Sequence, residues 1–458
     1  MLQRQRAKRT PMPLSSDEDS PTPKPPAKEV KLEGSFNQLL PEIQQAISVE
    51  GYTQPTPIQE ECIPHLLSKR DMIGSAQTGT GKTAAFTLPL LHHLSKQGQP
   101  TIKKKPKALI LTPTRELAAQ IGDCILNYGR FLKVRHTVIF GGVSQQKQVR
   151  ALHKGVDILV ATPGRLLDLM QQGHLALDEV KYFILDEVDR MLDMGFIHDI
   201  KKVLRSIPKE RQTSFFSATM APKMEALAQT MVSNPVRVSI TPDKPTVERI
   251  AQKAHFVQRK DKDALLADIL KEPKAKRVVV FTQMKHVANR VVKKLDAKGI
   301  SATAIHGNKS QSARTKSLDA FKNGQFKVLV ATDVAARGLD VDGITHVINY
   351  DLPTESETYV HRIGRTARAG AEGEAISLCT PEDRSALKDI ERHMKKSIYV
   401  DRDHDFHCDQ HAAPEKPSKP FKGNRNFQKN TPKKSGPPRR GKNFGNQRRK
   451  KTAYAGRG

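Results

Sequence analysis

Short runs of β-branched and apolar residues recur along this 458-residue chain, with stretches of helical character between them. The runs are apolar throughout, which is typical of strands buried on both faces of a parallel sheet. The first set comprises residues 107–113, 156–163, 182–187 and 213–219, and the second comprises residues 277–283, 300–307, 327–333, 346–351 and 375–380. Because strands alternate with helices, the pattern predicts an α/β fold with two domains, each built on a parallel sheet.

The polar segments around the two sets predict the domain boundaries. Residues 1–34 are rich in proline, serine and charge, and residues 401–458 become rich in Lys, Arg, Asn, Gly and Pro. We therefore expect a disordered extension and a basic disordered tail. Residues 239–250 contain two prolines and separate the two sets of runs, so we interpret them as the interdomain linker. The predicted domains are residues 35–238 and residues 251–400.

The charge of the chain narrows the choice of partners. The formal net charge is +29, and residues 416–458 contain 15 Lys and Arg but no Asp or Glu. Such a surplus favours a polyanion, either nucleic acid or an acidic membrane surface. No apolar run approaches the roughly 18 residues that span a bilayer, and the N-terminus has no apolar signal segment. The four cysteines form no CxxC pair, so we expect a soluble cytoplasmic protein.

A glycine-rich segment, AQTGTGKT at residues 76–83, opens an apolar helical stretch. Gly79 and Gly81 let backbone N–H groups curl around phosphate oxygens. Lys82 can then reach the β- and γ-phosphates of a nucleotide, and the Thr83 hydroxyl can hold Mg²⁺. The segment predicts a nucleotide-binding loop.

A pair of carboxylates follows the apolar run YFIL at residues 182–185. Asp186 is placed to hold Mg²⁺ through water, and Glu187 to orient or deprotonate an attacking water. Acidic residues also begin many ordinary helices. Their pairing with the phosphate loop about a hundred residues earlier favours a hydrolytic site.

Further motifs occur in a fixed order along the chain. They are GYTQPTPIQ (51–59), AQTGTGKT (76–83), PTRELAAQ (113–120), TPGR (162–165), DEVD (186–189), SAT (217–219), VFTQ (280–283), ARGLD (336–340) and HRIGRTARAG (361–370). The series covers roughly residues 35 to 395 and resembles that of the DEAD-box ATP-dependent RNA helicases. The segment MGFIHDIKKVL at residues 194–204 and the basic tail make the chain most similar to the bacterial RhlE-type subgroup.

The resemblance implies two tandem RecA-like (P-loop) domains with ATP between them and Mg²⁺ at Thr83 and Asp186. Gln59 would read the adenine edge, because an amide can pair bidentately with adenine. The implied nucleotide-binding residues are Phe36, Tyr52, Gln59, Ala76, Gln77, Thr78, Gly79, Thr80, Gly81, Lys82, Thr83 and, at the ribose, Asp340. Tyr52 would pack on the base, and a role as a buried aromatic residue of the core fits the sequence almost equally well.

The resemblance also assigns roles in hydrolysis. Arg365 and Arg368 would be arginine fingers that brace charge on the transferring phosphoryl group. The implied catalytic set is Lys82, Asp186, Glu187, Arg365 and Arg368, and the implied coupling set is Asp189, Ser217, Thr219 and His361.

A third set of motif residues is expected to contact RNA. It comprises Thr114, Arg115, Gly142, Thr162 and Arg165 in the first domain and Gln311, Arg314 and Thr332 in the second. Small polar groups contact phosphate and sugar and read no bases, so sequence-independent binding with a preference for RNA is expected. Each residue alone is equally compatible with a cap or a turn.

The basic tail interleaves its cations with aromatic rings at Phe421, Phe427, Phe444 and Tyr454. Cations on phosphates and rings on bases suit a segment that holds RNA of any sequence. A purely solubilising tail is the alternative.

The chain departs from the family pattern at several positions. Ala76 stands where such loops usually begin with glycine, and we interpret Met72–Ile73 before it as an apolar turn. Val188 replaces the usual alanine and should leave the chemistry intact while shifting closure packing modestly. Ala367 replaces a glycine, and we expect helical φ there because a positive φ would strain alanine.

A histidine-rich segment precedes the tail. On a helix, its side chains would lie near one face and could bind a transition metal; they are His404, His407, Cys408 and His411. The chain has no second ligand cluster beside them, which argues against a metal site.

The leading interpretation is an RNA-stimulated ATPase that separates short duplexes or displaces proteins, on ribosomal particles or with RNA-decay machinery. A processive DNA translocase is one alternative, against which Gln59 and the RNA motifs argue. A non-enzymatic RNA-annealing, chaperone or clamping scaffold is another, against which the complete catalytic set argues.

Overall fold

The first domain is built on seven strands. The computed structural model describes residues 31–77, 79–98, 100–220, 222–240, 250–336, 341, 343–367 and 372–409. The strands are β1 Met72–Ala76, β2 Ala108–Leu111, β3 His136–Ile139, β4 Ile158–Ala161, β5 Tyr182–Leu185, β6 Gln212–Ser217 and β7 Val236–Ile240. The helices are α1 Pro41–Val49, α2 Pro57–Leu67, α3 Lys82–Gln97, α4 Arg115–Tyr128, α5 Gln145–Lys154, α6 Pro163–Gln171, α7 Val188–Asp193, α8 Ile197–Leu204 and α9 Pro222–Gln229, preceded by a 3₁₀ turn at Gly34–Gln38.

The second domain repeats this plan. Its strands are β8 Ile250–Phe256, β9 Val278–Phe281, β10 Ala302–Ile305, β11 Val328–Ala331, β12 His346–Asn349, β13 Gly373–Cys379 and β14 Tyr399–Asp401. Its helices are α10 Lys262–Lys271, α11 Lys285–Asp296, α12 Gln311–Lys322, α13 Asp333–Ala336, α14 Ser356–Ile363 and α15 Arg384–Met394, with a 3₁₀ turn at Pro381–Asp383.

The two sheets have the same strand order. The first runs β3-β4-β2-β5-β6-β1-β7 and the second runs β10-β11-β9-β12-β13-β8-β14. The two orders correspond position by position: β8 occupies the place in the second sheet that β1 occupies in the first, β9 that of β2, and so on to β14 and β7. Neighbouring strands are parallel, as in the β1–β6 and β8–β13 pairs. The prediction of two domains on parallel sheets is confirmed.

Both faces of each sheet are buried, which explains why the strand runs are apolar throughout. In β2, Ala108 and Ile110 belong to one hydrophobic cluster, while Leu109 belongs to the cluster on the other face. In β9, Val278 and Val279 divide between two clusters in the same way.

The interpretation of Met72–Ile73 as an apolar turn is wrong. These residues begin β1, which lies inside the sheet between β6 and β7. Gly74 interrupts the apolar pattern, so the pattern did not predict a strand here. A Cβ on Gly74 would lie only 2.6 Å from the Phe216 ring, so the glycine is required for close packing of a neighbouring side chain.

Several predicted boundaries differ from the observed ones by a few residues. Ser239 and Ile240 belong to β7, and Ile250 begins β8, so the strands extend into the predicted linker at both ends. Leu32 is buried in the core rather than part of a disordered extension. Residues 402–409 follow β14, and the Cys408 N–H donates to the Phe256 carbonyl. Among the described residues, no helix is both long and apolar enough to cross a bilayer.

A buried ion pair links the residues that immediately precede three strands of the first domain. Lys107 Nζ lies 2.9 Å from Asp157 Oδ1, and both side chains are less than a tenth exposed. The other carboxylate oxygen accepts the Arg135 N–H at 3.0 Å. Since these residues precede β2, β4 and β3, the pair fixes the amino edge of the sheet.

We predict that Lys107→Met lowers the free energy of unfolding by about 3–5 kcal/mol, because it leaves the Asp157 carboxylate buried without its cation. Urea unfolding, followed by circular dichroism, measures the loss. Arg392→Met is the control, since the Arg392–Asp389 pair is largely exposed and exposed pairs stabilise little. Equal losses of unfolding free energy in the two variants would show that the Lys107–Asp157 pair stabilises the fold no more than an exposed pair does.

Candidate nucleotide and RNA sites

The glycine-rich loop leaves β1 and enters α3 through backbone conformations that suit glycine. Gly79 has φ of 82° and Gly81 has φ of 93°, values at which an L side chain is strained. The Thr80 hydroxyl donates to the Gln77 carbonyl at 2.8 Å and closes the turn. Thr78 lies outside the described residues. The two glycines thus adopt the backbone conformations for which the sequence analysis expected glycine in this loop.

Lys82 is buried at the start of α3. Its ammonium donates to the Gln77 carbonyl at 2.9 Å and to the Ala76 carbonyl. Burial lowers the pKa of Lys82, and the carboxylates of Asp186 and Glu187 oppose that shift. The ammonium therefore lies between the loop and the carboxylates. A bound phosphate would replace the two carbonyls as its partner.

Gln59 contacts the phosphate loop directly. Its amide oxygen accepts the Thr56 N–H at 3.0 Å, and its amide nitrogen donates to the Gly81 carbonyl at 3.2 Å. A Cβ on Gly81 would lie 2.4 Å from that nitrogen. Phe36 is packed in the core, whereas Tyr52 is 52% exposed. Of the two aromatics, Tyr52 is accessible to a base, and its alternative as a core residue is wrong.

Asp186 and Glu187 follow β5 at the carboxyl edge of the sheet, and both are buried. Asp186 Oδ1 accepts the Glu187 N–H at 3.0 Å. Burial, and then the neighbouring Glu187 carboxylate, raise the pKa of Asp186 to about 7. Glu187 itself has φ of 52°, which is strained for a residue with a side chain. The negative charge collected here suits a divalent cation.

Asp189 joins α7 to the turn after β6. Its Oδ2 accepts the Ala218 N–H at 2.9 Å and the Thr219 N–H at 3.2 Å. The Ser217 hydroxyl donates to the Thr219 carbonyl at 2.7 Å. The structure therefore brings together the three predicted coupling residues of the first domain, and Asp189 joins the carboxylate segment to this turn.

The second domain presents His361 and Arg365 toward these carboxylates. Burial lowers the pKa of His361, and the nearby Arg190 guanidinium lowers it further. Asp189 lies close enough to act in the opposite direction. Arg365 is buried, and its Nε donates to the His361 carbonyl at 3.3 Å. The predicted Asp340 and Arg368 lie outside the described residues.

Sequence reasoning missed Arg362, the residue after His361. Its guanidinium donates to both Asp333 oxygens, at 2.6 Å and 2.7 Å, and to the Asn349 amide oxygen at 3.1 Å. It also lies over the Phe281 ring at 5.0 Å. The motif HRIGR was the available signal, because it contains Arg362 beside the predicted His361. The structure shows that Arg362 bonds Asp333 after β11 and Asn349 in β12.

The predicted RNA residues of the first domain lie in two small groups. The Arg115 guanidinium covers Gly142, whose added Cβ would lie 2.2 Å from it. Arg165 donates to the Gln148 amide oxygen at 3.0 Å and to the Val143 carbonyl at 3.2 Å. Both arginines therefore border the loop between β3 and α5.

The two threonines of this set occupy helix starts. The Thr114 hydroxyl caps α4 by accepting the Leu117 N–H at 3.2 Å. Thr162 is the N-cap residue of α6, with no side-chain capping bond. Thr114 is therefore a helix cap. A cap or a turn was the structural alternative to RNA contact for every residue of the predicted RNA set.

Gln311 and Arg314 of the second domain reach Glu116 of the first. Gln311 Nε2 donates to Glu116 Oε1 at 3.0 Å, and Arg314 lies 2.7 Å from the same oxygen. All three side chains are buried. Thr332, also buried, follows β11 at the sheet edge. Sequence reasoning missed Glu116, although its position next to Arg115 was a signal.

The expectation of helical φ at Ala367 is wrong. Ala367 has φ of 55°, because α14 ends at Ile363 and the chain turns back toward β13. The turn packs so closely that a Cβ on Gly373 would lie 2.8 Å from the Ala367 nitrogen. A positive φ strains alanine, and glycine, the residue that the family pattern has here, adopts it without that strain.

The histidine-rich segment is not helical. His407 forms an isolated bridge with Val257, and the His404 ring lies against the His255 ring with centroids 4.8 Å apart. His411 lies outside the described residues. Within the part of the chain that the structure describes, no group of three or more His, Cys, Asp or Glu is arranged to hold a metal ion.

Comparison with known proteins agrees with this geometry. Residues 56–227 match the family model described as DEAD/DEAH box helicase, and residues 261–370 match the helicase conserved C-terminal domain. The RNA helicase CrhR of Synechocystis sp. is 43% identical over 351 residues, which cover 76% of this chain and 70% of CrhR. The ATP-dependent RNA helicase DbpA of Bacillus subtilis is 41% identical over 357 residues, which cover 78% and 74%.

The fold has a counterpart among solved structures. S. cerevisiae Dbp5 bound to RNA and ADP BeF3 superimposes with a TM-score of 0.71 and 32% identity, covering 81% of this chain and 96% of Dbp5. Two tandem RecA-like domains are thereby confirmed. The chain belongs to the DEAD-box family of ATP-dependent RNA helicases.

We predict that Val188→Ala lowers the free energy of unfolding by about 1–3 kcal/mol, because it removes buried methyl groups from a packed core. Val188 is fully buried beneath the first sheet. The kcat for ATP hydrolysis should stay within about twofold, since no polar group changes. Thermal unfolding and steady-state ATPase assays measure both.

Val49→Ala is the matched control, because Val49 is 51% exposed. The control should leave both the unfolding temperature and the kcat unchanged. If Val188→Ala reduces kcat without reducing stability, then the valine takes part in the chemistry rather than in the core.

Proposed function

We propose that Lys82, Asp186, Glu187 and Arg365 carry out ATP hydrolysis, and that this hydrolysis drives local unwinding of RNA duplexes or remodelling of RNA–protein particles. One observation supports this best. The carboxylates of the first domain and His361 of the second lie within electrostatic reach of each other. A nucleotide on the phosphate loop would therefore contact both domains at once.

Each residue has a task that its position supports. Lys82 would neutralise the β- and γ-phosphates, since its ammonium already lies at the mouth of the loop. Glu187 would orient the attacking water. Arg365 would brace the charge that develops on the γ-phosphoryl group when the domains close. Arg368 would be a second finger, and Asp340 would contact the ribose.

Mg²⁺ fits the residues present, and Thr83 and Asp186 would hold it. Burial and the neighbouring Glu187 carboxylate raise the pKa of Asp186, and a bound divalent cation would offset both effects. Phosphate oxygens and water would supply the remaining ligands of the ion. The bound ion would neutralise phosphate charge during transfer.

RNA would bind across the two domains without regard to sequence. Arg115 and Gly142 would contact phosphate and sugar from the first domain. Gln311 and Arg314 would do so from the second, and they already lie beside Glu116. The resemblance to Dbp5 bound to RNA and ADP BeF3 supports this arrangement.

The finer biological role is an inference from the sequence. The segment at residues 194–204 and the basic tail support membership of the RhlE-type subgroup, with work in the cytoplasm on ribosomal particles or with RNA-decay machinery. The tail, beginning near Lys416, lies outside the described residues. Its charge and aromatic rings suit a second, general contact with RNA.

We predict that Glu187→Gln leaves ATP affinity nearly intact and removes most turnover. The amide keeps the shape of the side chain but cannot accept a proton or orient water as well. Fluorescent nucleotide titration measures the affinity, and a phosphate-release assay measures kcat.

The control for this prediction is Glu210→Gln, an exposed carboxylate before β6. It should change neither quantity. A near-wild-type kcat for Glu187→Gln would remove Glu187 from the mechanism, whereas loss of ATP binding would show that the substitution damages the site itself.

We also predict a strong preference for ATP over GTP that depends on Gln59. The amide matches the donor and acceptor of adenine and mismatches guanine, so Gln59→Ala should reduce discrimination by about 1–3 kcal/mol. Competition binding with the two nucleotides measures this. Gln229→Ala on α9, which is exposed, is the control. Equal use of ATP and GTP by the unsubstituted protein would refute the role.

A further inference from the structure

Helix α11 of the second domain carries a one-sided row of cations. Lys285, Arg290, Lys293 and Lys294 are all exposed on its solvent-facing half, and the helix contains a single acid, Asp296. The other half of the helix is apolar and packs into the core against the sheet. We call the four cations the basic ridge.

The charge of the ridge differs from that of an ordinary solvated helix, which mixes both signs. Helix α10 has two basic and two acidic residues, and on α15 Arg392 lies 2.8 Å from Asp389. On α11, Arg290 and Lys294 are four positions apart, a spacing at which like charges repel. Cations favour the last turn of any helix, which accounts for Lys293 and Lys294 but not for Arg290. A bound anion would relieve the repulsion.

The ridge begins beside the predicted RNA residues of the second domain. Lys285 Nζ donates to Asn308 Oδ1 at 3.0 Å, in the loop that leads into α12. Burial lowers the pKa of His306 in this loop, and the nearby cations Lys309, Arg314 and Lys285 lower it further. All three cations therefore lie within electrostatic reach of one imidazole. The positive surface continues from Arg314 onto α11.

The middle of the ridge is held in position by the core. Arg290 Nη2 donates to the Tyr350 hydroxyl at 3.0 Å, and that hydroxyl donates to Asp263 Oδ1 at 2.9 Å. A guanidinium has several N–H donors, so this bond fixes the group while other donors can meet a phosphate. From Lys285 to Lys294 the ridge measures about 14 Å along the helix axis, at about 1.5 Å per residue.

We propose that the basic ridge binds the phosphate backbone of RNA that extends beyond the motif residues. The inference rests on the proposed function and adds a contact surface outside the predicted RNA set. RNA is favoured over an acidic protein because the ridge is continuous with Arg314, which is itself expected to contact RNA. Cations that contact phosphate read no bases, so the ridge serves RNA of any sequence.

The test is Lys293→Gln combined with Lys294→Gln in the full-length protein, with Mg²⁺ and a non-hydrolysable ATP analogue present. Affinity is measured for oligouridines of about 25 and about 6 nucleotides, since one single-strand site covers roughly 4–16 nucleotides. For the longer RNA, the slope of log K against log salt should fall by about 1.4, because each phosphate contact contributes about 0.7. The loss of affinity should therefore be roughly sevenfold greater at about 50 mM than at about 200 mM salt.

The shorter RNA, which the motif residues can hold alone, should keep its affinity. The matched control is Lys201→Gln combined with Lys202→Gln, because these lysines are also an adjacent exposed pair in the last turn of a helix, α8 of the first domain. The control removes the same charge and should leave the salt slope unchanged. Thermal unfolding of both variants checks that neither substitution damages the fold.

Three results would overturn the proposal. An unchanged salt slope would show that the ridge does not touch RNA and would point to an acidic protein as its partner. An equal fall in the control would show that total charge sets the slope. An equal loss for the shorter RNA would place the two lysines at the motif site. Failure of the proposed function looks different, because then neither RNA would stimulate ATP hydrolysis by the unsubstituted protein.

Discussion

Two parallel sheets, each buried on both faces, form the constraint on which every other feature of this protein depends. A buried strand tolerates few polar groups along its length, so the chemistry is confined to the strand ends. The phosphate loop follows β1, the Asp186 carboxylate follows β5, and Ser217 ends β6. These three strands are neighbours in the sheet, in the order β5-β6-β1. The sheet therefore assembles a nucleotide site from segments more than a hundred residues apart in sequence.

Charge balance at that site makes the protein responsive to ligands. Lys82, the carboxylates and Arg190 are all buried and mutually close. Buried charges are costly unless they are paired, so each partner lost or gained changes the free energy of the others. In the proposed mechanism, a bound nucleotide would add negative charge beside Lys82, and the second domain would supply the cation of Arg365. The site is therefore arranged so that phosphate and domain closure act on the same set of side chains.

The domains are joined at two separate places. Near the nucleotide, Arg190 shares a cavity with residues of the second domain. At the second place, Glu116 accepts bonds from Gln311 and Arg314. Both contacts join the same two domains, so under the proposed function an RNA strand that reorganises the second contact would change the geometry of the first. Binding at either place would then alter affinity at the other, since such coupling is reciprocal.

The sequence by itself determined the fold class, the strands β2, β4–β6 and β9–β13, and the loop and carboxylates, because apolar runs and glycine spacing are local signals. It could not reveal β1, since Gly74 makes room for the Phe216 ring of another strand, nor the positive φ of Ala367, which lies close to Gly373 in the folded chain. The sequence also did not reveal that Glu187 pairs with Arg190, or that Glu116 bonds Gln311 and Arg314. Tertiary structure decided these features, because each depends on which distant residues the folded sheets bring within bonding distance.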